Sequence, residues 1–583
     1  MSTAISPFQP EVQPSTELRV TAQLVEAMLF EGLLPYRKSA DGICDHVNLE
    51  IRLGQTTYRV NARVGGFDRI HLDRDSLSIS GITIDLLLKQ LPANAIAIKQ
   101  LANELQQTIT LSEWNRHHLP ARLSRRYLSF NDLEQHLDEG HPYHPCFRAR
   151  SGFSLTDHQQ FGPECGQPFQ VHWLAIRRDC LKSNLPVEEK RFWQAEIGLD
   201  DWQLLVGRLV LLSGDLTQYG LIPIHPWQWK QLQSDALAPL IENRQLLYLG
   251  AVGPRYRASQ SVRTLIPVEP NSGAHLKLPL DMVNTSSRRT LEPHAVCTAP
   301  IISDWLHTLV NNDPYLSRQQ PLVILREYAG LLLTSEQPQL QGQVAAIWRE
   351  NILQQLAADE AAVPFTALLV TEQDGQPFIA HWVQQFGLRR WLTQLFKTSV
   401  LPIWHLLIHH GIAIEAHAQN LILLHQNGWP SRIAARDFHE SLEYVDDFLL
   451  SHEEKPDFST LDDCYQQAPN NQYYWMEEVE ALRELFVDTL FIYNLAELAN
   501  LLQHHYDFSE TRFWQLLHAE IRHYHLEQNI DVTRLKRLDL QQQLIATESL
   551  LTRKLHVPPT TESHHLVNNP FYSLENNNRV CNS

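Results

Sequence analysis

Apolar residues near the start of the chain follow two different periods. Between residues 16 and 33 they recur at helical spacing, and Ser15 or Thr16 is expected to cap the helix. From residue 47 the pattern changes to alternation, first over 47–53 and then, after a Gly-Gln turn, over 58–64. Alternation is typical of strands with one buried face. The pattern predicts a helix, then a β-hairpin, with further helical segments to about residue 138.

The last third of the chain has its own pattern. A helical stripe of large apolar residues covers 391–408 and ends at Gly411. Two short apolar runs, 421–424 and 433–436, then flank an Asn-Gly pair at 427–428. Asn-Gly is a strong turn signal between paired strands. We therefore predict a helix followed by a second hairpin.

Beyond residue 470 the spacing is almost entirely helical, and it predicts helices over 513–526 and 535–555. The tail from Pro558 is rich in Asn, Ser and Thr, and we expect it to lie along the surface. Helices and strands are mixed without a regular βαβ alternation, so the predicted fold class is α+β.

Length and charge limit the function classes. A chain of 583 residues is too long for one core, and we place boundaries near residues 140 and 365, giving domains 1–139, 140–364 and 365–583. Asp and Glu number 66 against 48 Lys and Arg, a net charge of −18. Such an acidic chain is a poor general partner for nucleic acid or an anionic membrane.

The cysteines and the absence of a leader indicate a cytoplasmic protein. The 7 cysteines are scattered and form no CxxC pair, which is typical of reduced thiols. Residues 1–14 carry no basic residue and no apolar core, so no signal peptide is predicted. The apolar stretch 400–414 contains one proline and three histidines, which argues against a membrane span.

The hairpin near residue 428 is flanked by residues suited to a hard cation. Asn420 precedes its first strand, Asp437 follows its second, and Glu415 and His417 lie just upstream. Pairing of the strands brings Asn420 and Asp437 side by side, and their oxygens suit Mg²⁺. Protein kinases hold the metal of ATP in this way. The alternative is that Asn420 is a turn residue and Asp437 a strand-end cap.

Cationic and hydroxyl residues gather upstream. Ser261, Arg263 and Thr264 are predicted to share a strand face, which suits phosphate oxygens, although a solvated face is the alternative. Lys277 lies in an apolar strand and needs a partner or an anionic ligand. Arg289 follows a hydroxyl-rich turn with Thr285. A cationic pocket in an acidic chain favours a polyphosphate or a polycarboxylate.

Two proline-rich corners are less specific. The loop 140–153 carries His144, Arg148 and Arg150, and a preorganised anion site is favoured there over a zinc site, because the histidine spacing is not helical. The corner 223–228 contains a His-Pro-Trp sequence. It is interpreted either as a functional corner or as a packed turn.

Six segments, in this order, resemble the IucA/IucC family of siderophore synthetases, which work without a nonribosomal peptide assembly line. They are GHPYHPCFRARSGF (140–153), PIHPWQ (223–228), SVRT (261–264), HLKLPLDMVNTSSRR (275–289), EAHAQN (415–420) and RDFHES (436–441). The helical region beyond them and NNPF at 568–571 are also similar to that family. Residues 1–139 carry no motif.

The resemblance implies a reaction and a fold. Family members use ATP and Mg²⁺ to adenylate a carboxylate of citrate, a citrate derivative or 2-oxoglutarate, release pyrophosphate, and let an amine or hydroxyl attack the acyl-adenylate. Their fold is likened to a cupped hand of thumb, fingers and palm, and the palm is distantly kinase-like. We expect 1–139 to form the thumb, 140–364 the fingers and 365–583 the palm, in a homodimer.

The resemblance also implies residue roles. ATP would contact His144, Ser261, Arg263, Thr264 and Lys277; the substrate carboxylate would contact Thr285, Arg289 and His417; the metal would be held by Glu415, Asn420 and Asp437; and His417, Arg289 and Lys277 would act in catalysis. Many relatives have Lys where this chain has Arg148, and a guanidinium does not replace an ammonium in every contact.

Two other functions stay open at this point. A small-molecule kinase would use the same Asn420 and Asp437, but the chain lacks a Gly-rich phosphate loop ahead of a helix. A non-catalytic iron-siderophore binding or reductase-like protein would need a cysteine cluster, and the last third has only Cys464 and Cys581. For the amine-transfer step, the base is either His417 or the released carboxylate environment.

Overall fold

The computed structural model describes most of the chain. The described residues are 15–39, 46–120, 124–269, 273–556 and 563–572. The predicted surface tail from Pro558 lies mostly outside them, as do Cys44 and Cys581. The five described cysteines are all free.

The first region forms a helix, a four-stranded antiparallel sheet and further helices. Its elements are α1 (Thr16–Phe30), β1 (Tyr36–Ser39), β2 (His46–Leu53), β3 (Thr56–Val64), β4 (Ile70–Leu72), α2 (Arg74–Ser80), α3 (Ile84–Leu88), α4 (Ala95–His118) and α5 (Phe130–His136). Ser15 caps α1 by accepting a hydrogen bond from the Leu18 amide at 3.2 Å. The sheet order is β1-β2-β3-β4. The predicted first helix and hairpin are confirmed.

The middle region is built on an eight-stranded antiparallel sheet, in the order β6-β14-β15-β10-β9-β8-β5-β7. Its elements are α6 (Leu155–Phe161), β5 (Phe169–Arg177), β6 (Leu181–Asn184), α7 (Glu189–Ile197), α8 (Leu199–Leu211), β7 (Tyr219–Ile224), α9 (Pro226–Leu232), α10 (Ala238–Glu242), β8 (Leu246–Ala258), β9 (Thr264–Pro267), β10 (His275–Lys277), β11 (Val283–Asn284), β12 (Ser287–Arg288), α11 (Pro293–Asn312), β13 (Leu322–Ile324), β14 (Glu327–Leu333) and β15 (Ala345–Arg349). The strand β13 belongs instead to the next sheet.

The last region combines a four-stranded sheet, in the order β13-β19-β18-β16, with a helical layer. Its elements are β16 (Ala361–Pro364), α12 (Ala380–Phe386), α13 (Leu388–Leu395), α14 (Leu401–His405), β17 (Ile412–Ile414), β18 (Leu421–Gln426), β19 (Trp429–Ala435), β20 (Leu442–Tyr444), α15 (Val479–Phe486), α16 (Ala496–Tyr506), α17 (Glu510–Glu527), α18 (Val532–Leu538), β21 (Leu544–Glu548), α19 (Leu550–Arg553) and β22 (His564–Asn568). The predicted hairpin is confirmed: Asn427 and Gly428, with φ of 49° and 89°, make its turn.

The predicted helix over 535–555 is wrong. The helix α18 ends at Asp539, which has a φ of 45°, and β21 then pairs antiparallel with β22. Ile545 and Thr547 are both buried in this strand. Alternate burial has the period of a strand, but over only five residues it cannot be told from a helical pattern by spacing alone.

The two ends of the chain share one hydrophobic core, whereas the middle sheet has its own, drawn from residues between 153 and 348. Glu31, just after α1, shows the connection: its carboxylate accepts hydrogen bonds from the Tyr143 hydroxyl at 2.5 Å and from the Thr552 amide at 2.7 Å. In the described chain one continuous helical stretch, Val479–Tyr506, is long and apolar enough to cross a membrane, but 78% of its apolar 18-residue window is buried inside the protein, as in a core helix. Helices and sheets are mixed, as the α+β prediction requires.

Candidate active site

A row of buried charged residues crosses three neighbouring strands of the large sheet. In the register, Arg349 at the end of β15 is paired with His275 of β10 on one side and with Glu327 of β14 on the other. All three are at most 2% exposed, and Arg349 contacts the His275 ring nitrogen Nδ1 at 3.2 Å. Lys277, two residues along β10, is equally buried. The sheet thus presents two cations at one end.

The hairpin of the last region meets this row. Asn420 and Asp437 flank β18 and β19, and the Arg436 amide donates to the Asn420 carbonyl at 3.1 Å. The two residues therefore lie side by side, as predicted. The Oδ1 oxygen of Asp437 is 2.5 Å from both Lys277 Nζ and Arg349 Nη1. Burial would raise the pKa of Asp437, but the two cations hold it well below its usual range.

Glu327 of β14 also joins the large sheet to the segment that follows β19. Its carboxylate is 3.2 Å from Lys277 Nζ and 2.9 Å from His439 Nδ1, and it also accepts the backbone amides of Phe438 and His439. Burial acts to raise the pKa of Glu327, and His439 and Lys277 outweigh it, leaving a pKa of about 2. Glu327 is an ionised carboxylate that fixes the segment after β19.

The segment after β19 continues into a second group of polar residues. The Ser441 hydroxyl donates to Glu415 Oε2 at 2.7 Å, and the side-chain nitrogen Nδ2 of Asn420 lies 3.4 Å from the same oxygen. His417 Nε2 is 3.6 Å from the other Glu415 oxygen, and His417 Nδ1 accepts the backbone amide of Asn420 at 3.2 Å. Glu415, His417 and Asn420 therefore form one partly exposed cluster beside Asp437.

The segment 261–264 is a tight turn, so the prediction of a shared strand face is wrong. Val262 has a φ of 67°, which a β-branched residue rarely adopts, and the strand β9 begins only at Thr264. The Ser261 hydroxyl accepts the Thr264 amide at 3.2 Å and lies 3.0 Å from the Ser259 hydroxyl. The turn directs Arg263 towards the Thr290 carbonyl.

Arg263 and Arg289 lie close enough for their charges to repel. Burial, followed by this repulsion, lowers the pKa of Arg289 to about 9, and Glu415 opposes the shift. Arg289 donates to the Asn284 carbonyl at 2.8 Å, while its Nε is buried without a partner. Within the described part of the chain, neither arginine forms an ion pair with a carboxylate at 4.0 Å or less.

His144 and Thr285 lie against this pair of arginines. The Thr285 amide donates to the Cys146 carbonyl at 3.2 Å, and Cys146 in turn donates its amide to His144 Nδ1 at 3.0 Å. Burial first, then the charges of Lys554, His141 and Arg289, lower the pKa of His144 well below its usual value. The opposite ring nitrogen, Nε2, is buried without a partner. His144 is therefore a neutral imidazole whose Nε2 lacks a hydrogen-bond partner in the described chain.

The arginines of the loop 140–153 do not form the predicted anion site. Arg148 Nε contacts Glu164 Oε1 at 2.9 Å, and Arg150 binds both Glu164 oxygens at 2.8 Å. All three side chains are buried. The corner 223–228 is likewise a packed turn: His225 caps α9 through the Trp227 amide, and both rings are buried.

The fold therefore gathers residues that are far apart in sequence into one region. The predicted members are His144, Ser261, Arg263, Thr264, Lys277, Thr285, Arg289, Glu415, His417, Asn420 and Asp437. Sequence reasoning missed Glu327, Arg349 and His439. A charged residue at the end of a buried apolar strand, as in Ala345–Arg349, was the available signal for Arg349.

This arrangement suits a polyanionic ligand. Arg263 and Arg289 have no carboxylate ion pair in the described chain, and the buried atoms Arg289 Nε and His144 Nε2 have no partner. An unsatisfied buried donor costs free energy, which an anionic oxygen would recover. The oxygens of Glu415, Asn420 and Asp437 have the chemistry of a Mg²⁺ site, although Asp437 is engaged by two cations.

Comparison with known proteins gives this region a family. The family model described as "IucA / IucC family" matches residues 129–370, and one described as "Ferric iron reductase FhuF-like transporter" matches residues 389–561. The citryl-spermidine/3,4-dihydroxybenzoyl-citryl-spermidine:spermidine ligase of Bacillus anthracis is 31% identical, over 96% of this chain and 94% of its own length.

Solved structures share the fold. The petrobactin biosynthesis protein AsbB from Bacillus anthracis superposes with a TM-score of 0.89 at 30% identity, covering 97% of each chain. The ATP-bound aerobactin synthetase IucA from Klebsiella pneumoniae superposes with a TM-score of 0.74 at 16% identity, covering 95% of this chain and 99% of its own. With a relative this similar along nearly its whole length, and with residues of five of the six motifs collected in one region, the chain belongs to the IucA/IucC family of siderophore synthetases.

Proposed function

We propose that this protein uses ATP and Mg²⁺ to adenylate a carboxylate of citrate, a citrate derivative or 2-oxoglutarate, and then condenses it with an amine or a hydroxyl. The products would be an amide or ester, AMP and pyrophosphate. The observation that carries the proposal is the pair Arg263 and Arg289 without carboxylate ion pairs, next to Glu415, Asn420 and Asp437. Among the three acids, the name of the Bacillus anthracis relative favours a citrate derivative, with an amine as nucleophile.

In the proposed three-part division of the chain, ATP would bind between the second and the third part. We take 1–139 as thumb, 140–364 as fingers and 365–583 as palm, with ATP between fingers and palm. Lys277 and Arg349 come from the fingers sheet and Asp437 from the palm hairpin, so their ion pairs lie at that junction. A homodimer in the cytoplasm stays part of the proposal.

The chain's own residues would divide the work between two ends of the site. Ser261, Arg263, Thr264, Lys277 and His144 would hold the phosphates, with Arg349 beside Lys277. Thr285, Arg289 and His417 would orient the acid. Bound at Glu415, Asn420 and Asp437, Mg²⁺ would offset phosphate charge. Both cations that contact Asp437 meet it through the same oxygen, Oδ1.

Catalysis would rest on positioning and charge neutralisation. In the first step a carboxylate oxygen of the acid attacks the α-phosphorus of ATP, and the bond to pyrophosphate breaks. In the second step the nucleophile attacks the acyl carbon, AMP leaves, and one proton is lost from the amine or hydroxyl. The base would be either His417 or the released carboxylate environment. Because His417 Nδ1 accepts the Asn420 backbone amide, the neutral ring carries its hydrogen on Nε2 towards Glu415, and His417 would have to release the contact at Nδ1 to accept a proton.

The test is a substrate panel scored for nucleotide products. Citrate, citryl monoamides and 2-oxoglutarate would each be supplied with ATP and Mg²⁺, with and without diamines. We expect acid-dependent exchange of pyrophosphate into ATP, and AMP as the final product. Formation of ADP would identify a kinase instead, and the absence of exchange with every acid would overturn the adenylation step.

Asp437→Asn tests the metal role within that assay. The change removes the negative ligand, so exchange should fall at low Mg²⁺ and recover in part at high Mg²⁺ or with Mn²⁺. Asp446→Asn is the matched control, because Asp446 is an exposed residue paired only with a surface Lys455. Normal exchange in a folded Asp437→Asn protein at low Mg²⁺ would remove Asp437 from the site.

The match of residues 389–561 to a ferric reductase model leaves one further candidate, an iron-siderophore binding or reductase-like protein. Within those residues the sequence has one cysteine, Cys464, which is too few thiolates for an iron–sulfur cluster. Iron content of the purified protein distinguishes this candidate from the synthetase.

A further inference from the structure

Three histidines and an aspartate converge away from the candidate active site. Asp313 directly follows α11, His405 ends α14, and His409 and His410 end the helical turn Leu406–His410 that continues α14. One nitrogen or oxygen from each of the four lies within 4.8 Å of those of the others. Nothing in the proposed reaction uses these residues.

The local helix geometry explains the convergence. Residues five apart on an α-helix differ in direction by about 140°. Leu406–His410 is instead a π-helical turn, whose wider spacing brings His405 and His410 onto one face. Their Nε2 atoms lie 3.2 Å and 3.0 Å from the same oxygen, Asp313 Oδ2. Gly411, with a φ of 82°, ends the helix immediately afterwards.

The groups around the cluster hold the side chains in ligand orientation. Asp313 Oδ1 accepts the Leu316 amide at 2.8 Å, which turns Oδ2 towards the histidines. His405 Nδ1 is 2.7 Å from the Tyr524 hydroxyl, and its ring stacks on Tyr315 at 4.5 Å. When Nδ1 carries the proton and donates it to that hydroxyl, Nε2 is free to bind a metal, as in many metal-bound histidines.

We propose that Asp313, His405, His409 and His410 together bind one Zn²⁺-class transition-metal ion. Three imidazole nitrogens and one carboxylate oxygen form a four-coordinate set typical of Zn²⁺, and nitrogen ligands disfavour Mg²⁺. Metal–ligand bonds of about 2.0–2.2 Å place tetrahedral ligand atoms roughly 3.4 Å apart. The two histidine–aspartate separations of 3.2 Å and 3.0 Å are slightly below this value and the widest separation in the set is at most 4.8 Å, so small shifts of the four side chains reach that geometry.

The position indicates a structural role. The helix α11, which ends at Asp313, packs on β14 and β15, the strands that carry Glu327 and Arg349. The other three ligands end a helix that leads through β17 to Glu415. The ion would therefore fasten together the two elements that position the candidate active site, without contacting substrate.

Metal binding to untagged protein tests the site directly. After removal of metal with a chelator, Zn²⁺ would be titrated in competition with a chromophoric chelator, in millimolar Mg²⁺. We expect one Zn²⁺ per chain, an affinity lowered about 100-fold or more in His409→Ala, and wild-type affinity in His504→Ala. His504 is the matched control, because it is the exposed member of another adjacent histidine pair. Equal affinity in wild type and His409→Ala overturns the site.

A second measurement keeps the proposal testable if a variant folds poorly. Co²⁺ added to the metal-free wild-type protein should give the intense visible absorption of a four-coordinate site. Stoichiometric Zn²⁺ should also raise the thermal unfolding midpoint of the wild type, with no rise in folded Asp313→Asn. A weak six-coordinate Co²⁺ spectrum, or a midpoint in the wild type that does not respond to Zn²⁺, overturns the proposal.

Discussion

Two pairs of arginines in this molecule have opposite surroundings. Arg148 and Arg150 are buried against the carboxylate of Glu164, which both contact at 2.8–2.9 Å, and Arg148 is also 3.7 Å from Asp138. Arg263 and Arg289 lie near each other and donate to backbone carbonyls. The first pair has its counter-charge within the protein, whereas the second pair in the described chain has none at ion-pair distance.

The difference distinguishes arginines whose charge stabilises the fold from arginines whose charge is available to a ligand. Removing the counter-charge of a buried ion pair leaves isolated charges, which is strongly destabilising. Arg263 and Arg289 have no carboxylate at ion-pair distance in the described chain and interact only with more distant ones such as Glu415 and Glu440, so part of that cost remains and an anionic ligand would relieve it. Motif position alone would have put both pairs in the ligand site.

Glu164→Gln should have the largest effect, and it should be on stability. Two buried guanidinium groups lose the anion that they share, so we expect the free energy of unfolding to fall by about 3–5 kcal/mol, measured by chemical denaturation. Glu50→Gln is the control, because Glu50 pairs with the exposed Arg59 and should change stability by about 1 kcal/mol or less. If Glu164→Gln kept full stability but lost activity, the two pairs would have to exchange roles.

Arg263→Ala should act on activity instead. Loss of a charge-assisted contact to phosphate predicts a fall in kcat/KM of about 100-fold, with little change in the free energy of unfolding. Steady-state pyrophosphate release gives kcat/KM, and denaturation gives stability. Arg255→Ala, at an exposed position of the adjacent strand β8, is the control. Full activity in Arg263→Ala would exclude Arg263 from the ligand site.

Arg289→Met should have a smaller effect on stability than Glu164→Gln, and in the opposite direction. Removing a partly buried, repelled charge should raise the free energy of unfolding of the ligand-free protein by about 1 kcal/mol. Because the folded pKa of Arg289 is lowered to about 9, wild-type stability should gain as pH rises above 9, and the difference between wild type and Arg289→Met should shrink.

The same comparison of wild type and Arg289→Met would be measured by denaturation at pH 7, 9 and 10. Arg289→Lys serves as the charged control. It keeps the positive charge but loses the planar guanidinium that can bind a carboxylate through two parallel hydrogen bonds, so KM for the acid should rise about tenfold. A destabilised Arg289→Met protein at pH 7 would show that Arg289 has a counter-charge after all.

The sequence predicted the parts of the site that depend on local chemistry. The Asn427-Gly428 turn determined the hairpin, and the hairpin placed Asn420 beside Asp437. The carboxylate partners of the cations could not be predicted, because Lys277 pairs with Asp437, which lies 160 residues later in the chain. The turn at Val262 could not be predicted either, because a β-branched residue such as valine strongly prefers a negative φ.

The core shared by the two ends of the chain has a consequence for synthesis on the ribosome. The helix α1 packs on α2, α3, α4 and β4 of its own region, but other partners, such as the Thr552 backbone that Glu31 binds, follow 521 residues later. At about 5–20 residues per second, the interval lasts tens of seconds. Within that time the middle sheet is completed, while the N-terminal region still lacks its C-terminal partners. A nascent chain stalled before residue 479 should therefore bind chaperones through its N-terminal region.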